Sequence, residues 1–218
     1  MSRSEVMAAG SSVPALAEWE RALIFLDRKG KQHYGDHFRI YPEDHPVLYQ
    51  LLVYLRGDRE KARRLGLSLR KGILLTGPVG CGKTSLMTLL RFFRCSAARF
   101  AISSCREVSF AFHRDGYEVI RRFSQAPAPG TNDKPCAHLF DDLGTESTLK
   151  YYGNTCNVMG EILLSRYDLF VAGKLQTHVT TNLTSSELEQ CYGTRVRSRM
   201  REMFNLVSFG EGAKDKRA

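Results

Sequence analysis

The eight residues GPVGCGKT, Gly77 to Thr84, constrain this chain more than any other stretch. They fit the pattern G-x-x-x-x-G-K-[ST] in full, after a short apolar run, GILLT, and before a helical run, SLMTLLRFF. Glycines at 77, 80 and 82 let the backbone curl so that its N–H groups surround phosphate oxygens. The predicted phosphate-binding stretch is Gly77, Pro78, Val79, Gly80, Cys81, Gly82, Lys83, Thr84 and Ser85. Within it Lys83 reaches the outer phosphates and the Thr84 hydroxyl holds magnesium. Cys81 reads as a small tolerated side chain rather than a reactive thiol.

The rest of the chain alternates between strand and helix patterns. Strands are predicted at GILLTG (72–77), RFAIS (99–103), AHLFD (137–141), THVTTN (177–182) and NLVSF (205–209), with helices between them. That alternation implies an α/β fold, a five-stranded mostly parallel sheet covered on both faces. SQAPAPGTNDKP, 124–135, is a loop by composition. Helical patterns also precede the first strand, over Pro14 to Asp27 and Pro46 to Leu55. The expected organisation is a helical N-terminal region, 1–70, followed by a core, 71–218.

Two further motifs supply what a phosphate cradle lacks. HLFDDLGTE, 138–146, delivers Asp141 at the end of an apolar strand, suited to a magnesium shell, and beside it Asp142, suited to polarising a water. Adjacent acids at a strand end also suit a helix cap. HVTTNLT ends in Asn182, whose neutral amide can bond both a water and a phosphate oxygen, although Thr-Thr-Asn is equally a turn sequence.

Taken in order, GPVGCGKTS, FDDLGTE, TTNL and YGTRVRSRM resemble the AAA+ ATPases of the DnaC/IstB-like family, bacterial helicase loaders and transposition helpers, over roughly residues 70–217. The resemblance implies a RecA-like αβα core with a helical N-terminal extension and no C-terminal lid domain. It implies ATP and Mg2+ as ligands, with Lys83 and Thr84 as the loop pair, Asp141 as magnesium ligand, Asp142 as water-orienting acid and Asn182 as sensor of the terminal phosphate. Many AAA+ proteins carry glutamate where Asp142 stands. Arg199 is implied as the group that enters a neighbouring subunit's ATP site, with Arg195 second, and Arg217 as a late arginine at the nucleotide. The expected assembly is a homo-oligomer when ATP is bound.

On helical geometry Arg195 and Arg199 share one edge, while Val196, Met200 and Met203 form an apolar stripe. Charge follows the same division of the chain. The net charge is +9, and residues 191–218 carry 7 Lys+Arg against 3 Asp+Glu. A second basic stretch, RGDREKARRLGLSLRK at 56–71, suits a phosphate backbone or a solvated helix face. Together with the resemblance, these basic surfaces make single-stranded DNA the expected polymer partner. By resemblance, a replicative helicase or a transposase docks on the N-terminal region, where Trp19, Leu23 and Leu26 recur at helical spacing. The six cysteines show no paired spacing, no run is long enough for a membrane span, and no leader is evident, so a reducing cytoplasm is expected. His33 and His37 flank Gly35, which argues against a helical metal pair. Two other functions use the same cradle: a small-molecule kinase, and an ATP-binding scaffold with negligible turnover.

Overall fold

The computed structural model describes residues 12–93, 100–124, 137–146, 149–151, 154–173, 175–210 and 212–216. They form two compact units, Met1–His45 and Pro46–Ala218. In the first, helix α1 (Ser12–Tyr34) runs past the predicted Asp27 and stops where Gly35 takes a left-handed φ of 92°. A 3-10 turn, Pro42–Asp44, follows. Ala22 and Leu26 are buried; Trp19 meets the His45 ring edge-on, and Tyr34 stacks on Phe38.

The second unit opens with α2 (His45–Arg56), which buries Val47, Leu48, Leu51, Leu52, Val53 and Tyr54. A short helix, α3 (Arg59–Arg64), is capped by Asp58, which accepts from the Lys61 amide. The basic stretch 56–71 is thus α3 and its flanks. Asn205 fastens it to the sheet, accepting from the Ser68 amide and donating to the Ser68 and Gly72 carbonyls. The division between compact units falls at His45/Pro46, upstream of the expected 70/71, and Tyr54 of α2 is tied to the rest of the second unit by donating to the Lys71 carbonyl and meeting the His178 ring.

The sheet contains β1 (Gly72–Thr76), β2 (Ala101–Ser104), β3 (His138–Leu143), β6 (Thr177–Thr181) and β7 (Phe204–Ser208) in the order β2-β3-β6-β1-β7, with every pairing parallel. A small antiparallel pair, β4 (Leu149–Tyr151) with β5 (Asn154–Cys156), was absent from the sequence reading. The linking helices are α4 (Lys83–Leu90, extended by a 3-10 turn, Arg91–Phe93), α5 (Cys105–Asp115), α6 (Tyr117–Ser124), α7 (Val158–Val171) and α8 (Ser185–Met203).

Right-handed crossovers fix the layers. The chain moves one way along the sheet from β1 to β2, and the opposite way in every later crossover, so α4 lies on one face and α5 to α8 on the other. Strand alternation agrees: Leu74, Phe140 and Val179 join the core formed with α5 to α8, whereas His178 points away to the rings of Tyr54 and Phe100. Five predicted strands therefore correspond to five observed ones, as an αβα sandwich.

α8 is not one straight rod. Gly193 has φ 83° and ψ 162°, outside helical space. A straight helix would separate Ser185 and Arg197 by about 18 Å, yet Arg197 Nη2 donates to Ser185 Oγ at 2.7 Å. The bend is required by that contact. Beyond it Val196, Met200 and Met203 are buried, as the expected stripe demands.

Candidate nucleotide-binding site

The loop Gly77–Gly82 joins β1 to α4 at the carboxyl edge of the sheet. Gly80 and Gly82 have φ of 80° and 94°, a left-handed backbone that side chains disfavour. Gly82 caps α4, so the loop's last N–H groups point out of a helix N-terminus, where anions are favoured. Lys83 is buried, and its ammonium donates to the carbonyls of Gly77 and Pro78, both at 2.8 Å. Val79 is exposed on the loop and Cys81 is buried beneath it.

The Thr84 hydroxyl lies 3.0 Å from each carboxylate oxygen of Asp141. Asp141 also accepts from Thr180 Oγ1 at 2.6 Å. Burial pushes the Asp141 carboxyl above its ordinary 3.8, against the Thr180 bond, and the neighbouring Asp142 adds to the rise. The Thr180 hydroxyl serves twice, because its oxygen accepts from the Asp142 amide at 2.8 Å. Among the described residues, Asp142 is the non-glycine with positive φ, 56°. It sits where the register of β3 against β6 shifts between Phe140 and Leu143. Thr145 holds the turn by donating its amide and hydroxyl to the Asp142 carbonyl.

Asn182 is exposed and follows directly after β6, which lies between β1 and β3 in the sheet. It therefore stands at the same edge as the loop and the acids. Lys83, Thr84, Asp141, Asp142 and Asn182 are brought to one side of the molecule.

Arg199 is not. Arg199 crosses the Tyr167 ring at 4.2 Å, donates to its hydroxyl at 3.0 Å and lies 3.5 Å from Glu202. It lies about one turn before β7 begins, near Lys71, whose ammonium reaches the Arg201 carbonyl. That is towards the amino edge of the sheet, the opposite end of β1 from the loop. Arg195 is exposed. Arg217 lies outside the described residues.

The sequence reading missed Thr180, and it missed a lysine. Lys216 donates its amide to the Gly80 carbonyl at 3.1 Å and its ammonium to the Cys81 carbonyl at 2.8 Å. Asp215 packs so closely that a Cβ on Gly80 would lie 2.1 Å from its carboxyl carbon. The resemblance singles out Arg217 in KDKRA, and nothing in the sequence marks its neighbour Lys216.

A parallel sheet in this order, with a phosphate loop after β1, an acid pair on β3 and β6 between them, is an αβα P-loop NTPase fold. Its fold relatives include the DnaC helicase loader, which matches with a TM-score of 0.52 at 17% identity over 79% of this chain and 93% of that one. AMPPCP-bound DnaA from Aquifex aeolicus matches at 0.51 and 17% identity, over 79% of this chain and 48% of that one. Cell division control protein 48 homolog B of Arabidopsis thaliana is 32% identical over 98 residues, 44% of this chain and 16% of that protein, so the chain spans under a fifth of this curated relative. No protein-family model matches the chain.

Proposed function

We propose that this chain binds ATP with Mg2+, hydrolyses it in a homo-oligomer, and uses that cycle as a helicase loader or transposition helper acting on single-stranded DNA and a protein partner. The observation that carries the reading is the meeting of Thr84 and Asp141 at 3.0 Å beside the Lys83 loop. A hydroxyl and a buried carboxylate at that spacing fit two positions of a magnesium shell, and left-handed Gly80 and Gly82 leave the backbone room that phosphates need. When bound, magnesium supplies charge neutralisation at the phosphates. The chain's own residues do the rest. Lys83 exchanges its carbonyl partners for phosphate oxygens, Asp142 orients a water, and Asn182 holds that water against the terminal phosphate.

Arg199 and Arg195 are proposed to complete a neighbour's site. The place of Arg199 towards the amino edge, beside Tyr167 and away from its own loop, supports action between subunits. For DNA, the supporting observation is the exposed side of α5 and α6, where Arg106 lies over exposed Phe110 at 5.3 Å and exposed Tyr117 follows. Aromatic faces beside guanidinium groups suit stacked, unpaired bases. The region 1–70 is proposed to dock the protein partner, with Ile24 as an exposed apolar contact.

The test is a titration of the purified protein with a fluorescent ATP analogue. Binding that needs Mg2+ and weakens at least tenfold in Lys83→Ala is expected; equal binding by both proteins overturns the reading. A scaffold with slow turnover is favoured by one observation, the short side chain of Asp142 on a backbone already fixed by Thr180 and Thr145. Phosphate release in single turnover distinguishes the two.

A further inference from the structure

The acid loop Asp142–Glu146 is bonded to the bend in α8 through the carboxylate of Glu146, not through Asp141 or Asp142. Glu146 turns back on its own loop, where Oε2 accepts from the Gly144 amide at 2.9 Å, and Oε1 accepts from the Tyr192 hydroxyl. Both side chains are half-buried. Burial, followed by the nearby Glu146 charge, pushes the Tyr192 phenol above its ordinary range, so it stays a neutral donor. Tyr192 immediately precedes Gly193. A Cβ at Gly193 would meet no atom within 4 Å, so the glycine supplies backbone conformation rather than room.

The other side of the bend is held too. Asn157 caps α7 by accepting from the Gly160 amide at 2.9 Å, and its amide donates to the Cys191 carbonyl at 2.7 Å. Cys191 and Tyr192 are thus fixed to α7 and to the acid loop, while Arg195, Arg197 and Arg199 lie just past the break. At its far end the loop rests on the segment after β6. A Cβ on Gly144 would lie 2.3 Å from Leu183, the neighbour of Asn182, and Thr181 Oγ1 donates to the Leu143 carbonyl at 2.7 Å. A shift of the loop therefore has two fixed outlets.

We infer that Glu146 and Tyr192 are positioning residues which couple the acid loop at the nucleotide site to the bend at Gly193, and so set the pose of the arginine segment 195–199. The inference rests on the proposed nucleotide site and on arginines acting between subunits. Nucleotide binding on the loop side shifts the arginine segment through the Tyr192 hydroxyl, and loss of that hydroxyl uncouples the two without weakening binding.

The experiment is hydrogen–deuterium exchange of the full-length chain, with and without MgATP, on the unaltered protein, Tyr192→Phe and Glu146→Gln. Nucleotide affinity and hydrolysis against protein concentration are measured beside it. In the unaltered protein, ATP is expected to slow exchange both at 77–84 and at 190–201. In Tyr192→Phe, affinity and the response at 77–84 stay the same, the response at 190–201 is lost, and concentration-dependent hydrolysis falls about 3- to 30-fold. Glu146→Gln retains an acceptor for the phenol and keeps most of the response. A Tyr192→Phe protein whose 190–201 segment still responds as before overturns the coupling. Absence of any response at 77–84 in the unaltered protein instead overturns the nucleotide site on which it rests, and hydrolysis unaffected by Arg199→Ala overturns action between subunits while leaving the exchange result to decide the coupling.

Discussion

The Thr84 hydroxyl sits equidistant from both carboxylate oxygens of Asp141, at 3.0 Å, across the gap between β1 and β3. The two residues are 57 positions apart, and only the parallel arrangement of those strands around β6 brings them together. A buried carboxylate held by two hydroxyls is costly to keep charged.

That cost is measurable. The folded-state pKa of Asp141 lies above its ordinary 3.8, because burial penalises the charged form. The folded state then holds its proton more tightly than the unfolded one, so stability falls as pH rises from about 3.8 through the raised value and stays level above it. Asp141→Asn is expected to melt higher than the unaltered protein at pH 7 without nucleotide, and to lose the Mg2+-dependent part of ATP affinity. Thermal melts across pH 4–7, with and without MgATP, check both.

Asp142 presents a different balance, since its φ of 56° costs about 1 kcal/mol for an ordinary residue and less for Asp or Asn. Asp142→Asn should keep the stability of the fold, whereas Asp142→Ala should lose about 1 kcal/mol in urea denaturation. Both should lower hydrolysis by about 10²-fold or more if the carboxylate orients the water.

His138 gives the opposite pH sign. Its folded-state pKa is pushed down to about 4, first by burial and then by the Arg166 cation, against 6.5 when exposed. The unfolded state binds the extra proton between those values, so stability drops as pH falls from 6.5 towards 4, by roughly 3 kcal/mol once both are passed. His138→Gln should flatten that part of the stability curve, measured by denaturant midpoints at pH 7, 6, 5 and 4.

Arg199→Ala and Lys83→Ala proteins should each be about 10³-fold slower in hydrolysis. Mixed together, they should regain a measurable fraction of activity, because some interfaces then join an intact loop to an intact arginine. A titration of one variant into the other reads this out, and no recovery at any ratio removes Arg199 from the neighbour's site.

The five strands and the motifs at their ends were legible because each is local: an apolar run followed by a glycine loop, an acid pair or an asparagine. What escaped was set by tertiary contact. The amphipathic pattern of α2 says that one side is buried but not against which core, so the division at His45/Pro46 was invisible. Gly193 sits in a helical pattern that continues in phase past it, which hid the bend. Thr180 lay in a β-branched strand run, and its two hydrogen bonds, donated to the Asp141 carboxylate and accepted from the Asp142 amide, appear only when β3 and β6 pair. Lys216 meets the loop across 135 positions of chain.

The ammonium of Lys83 is already satisfied by two carbonyls of its own loop before any ligand arrives. A newcomer must exchange those partners rather than fill an empty place, so a lone weak anion gains little there. On the proposed reading, a chain of phosphates engaging the backbone amides and the ammonium at once offsets that exchange better than a lone anion.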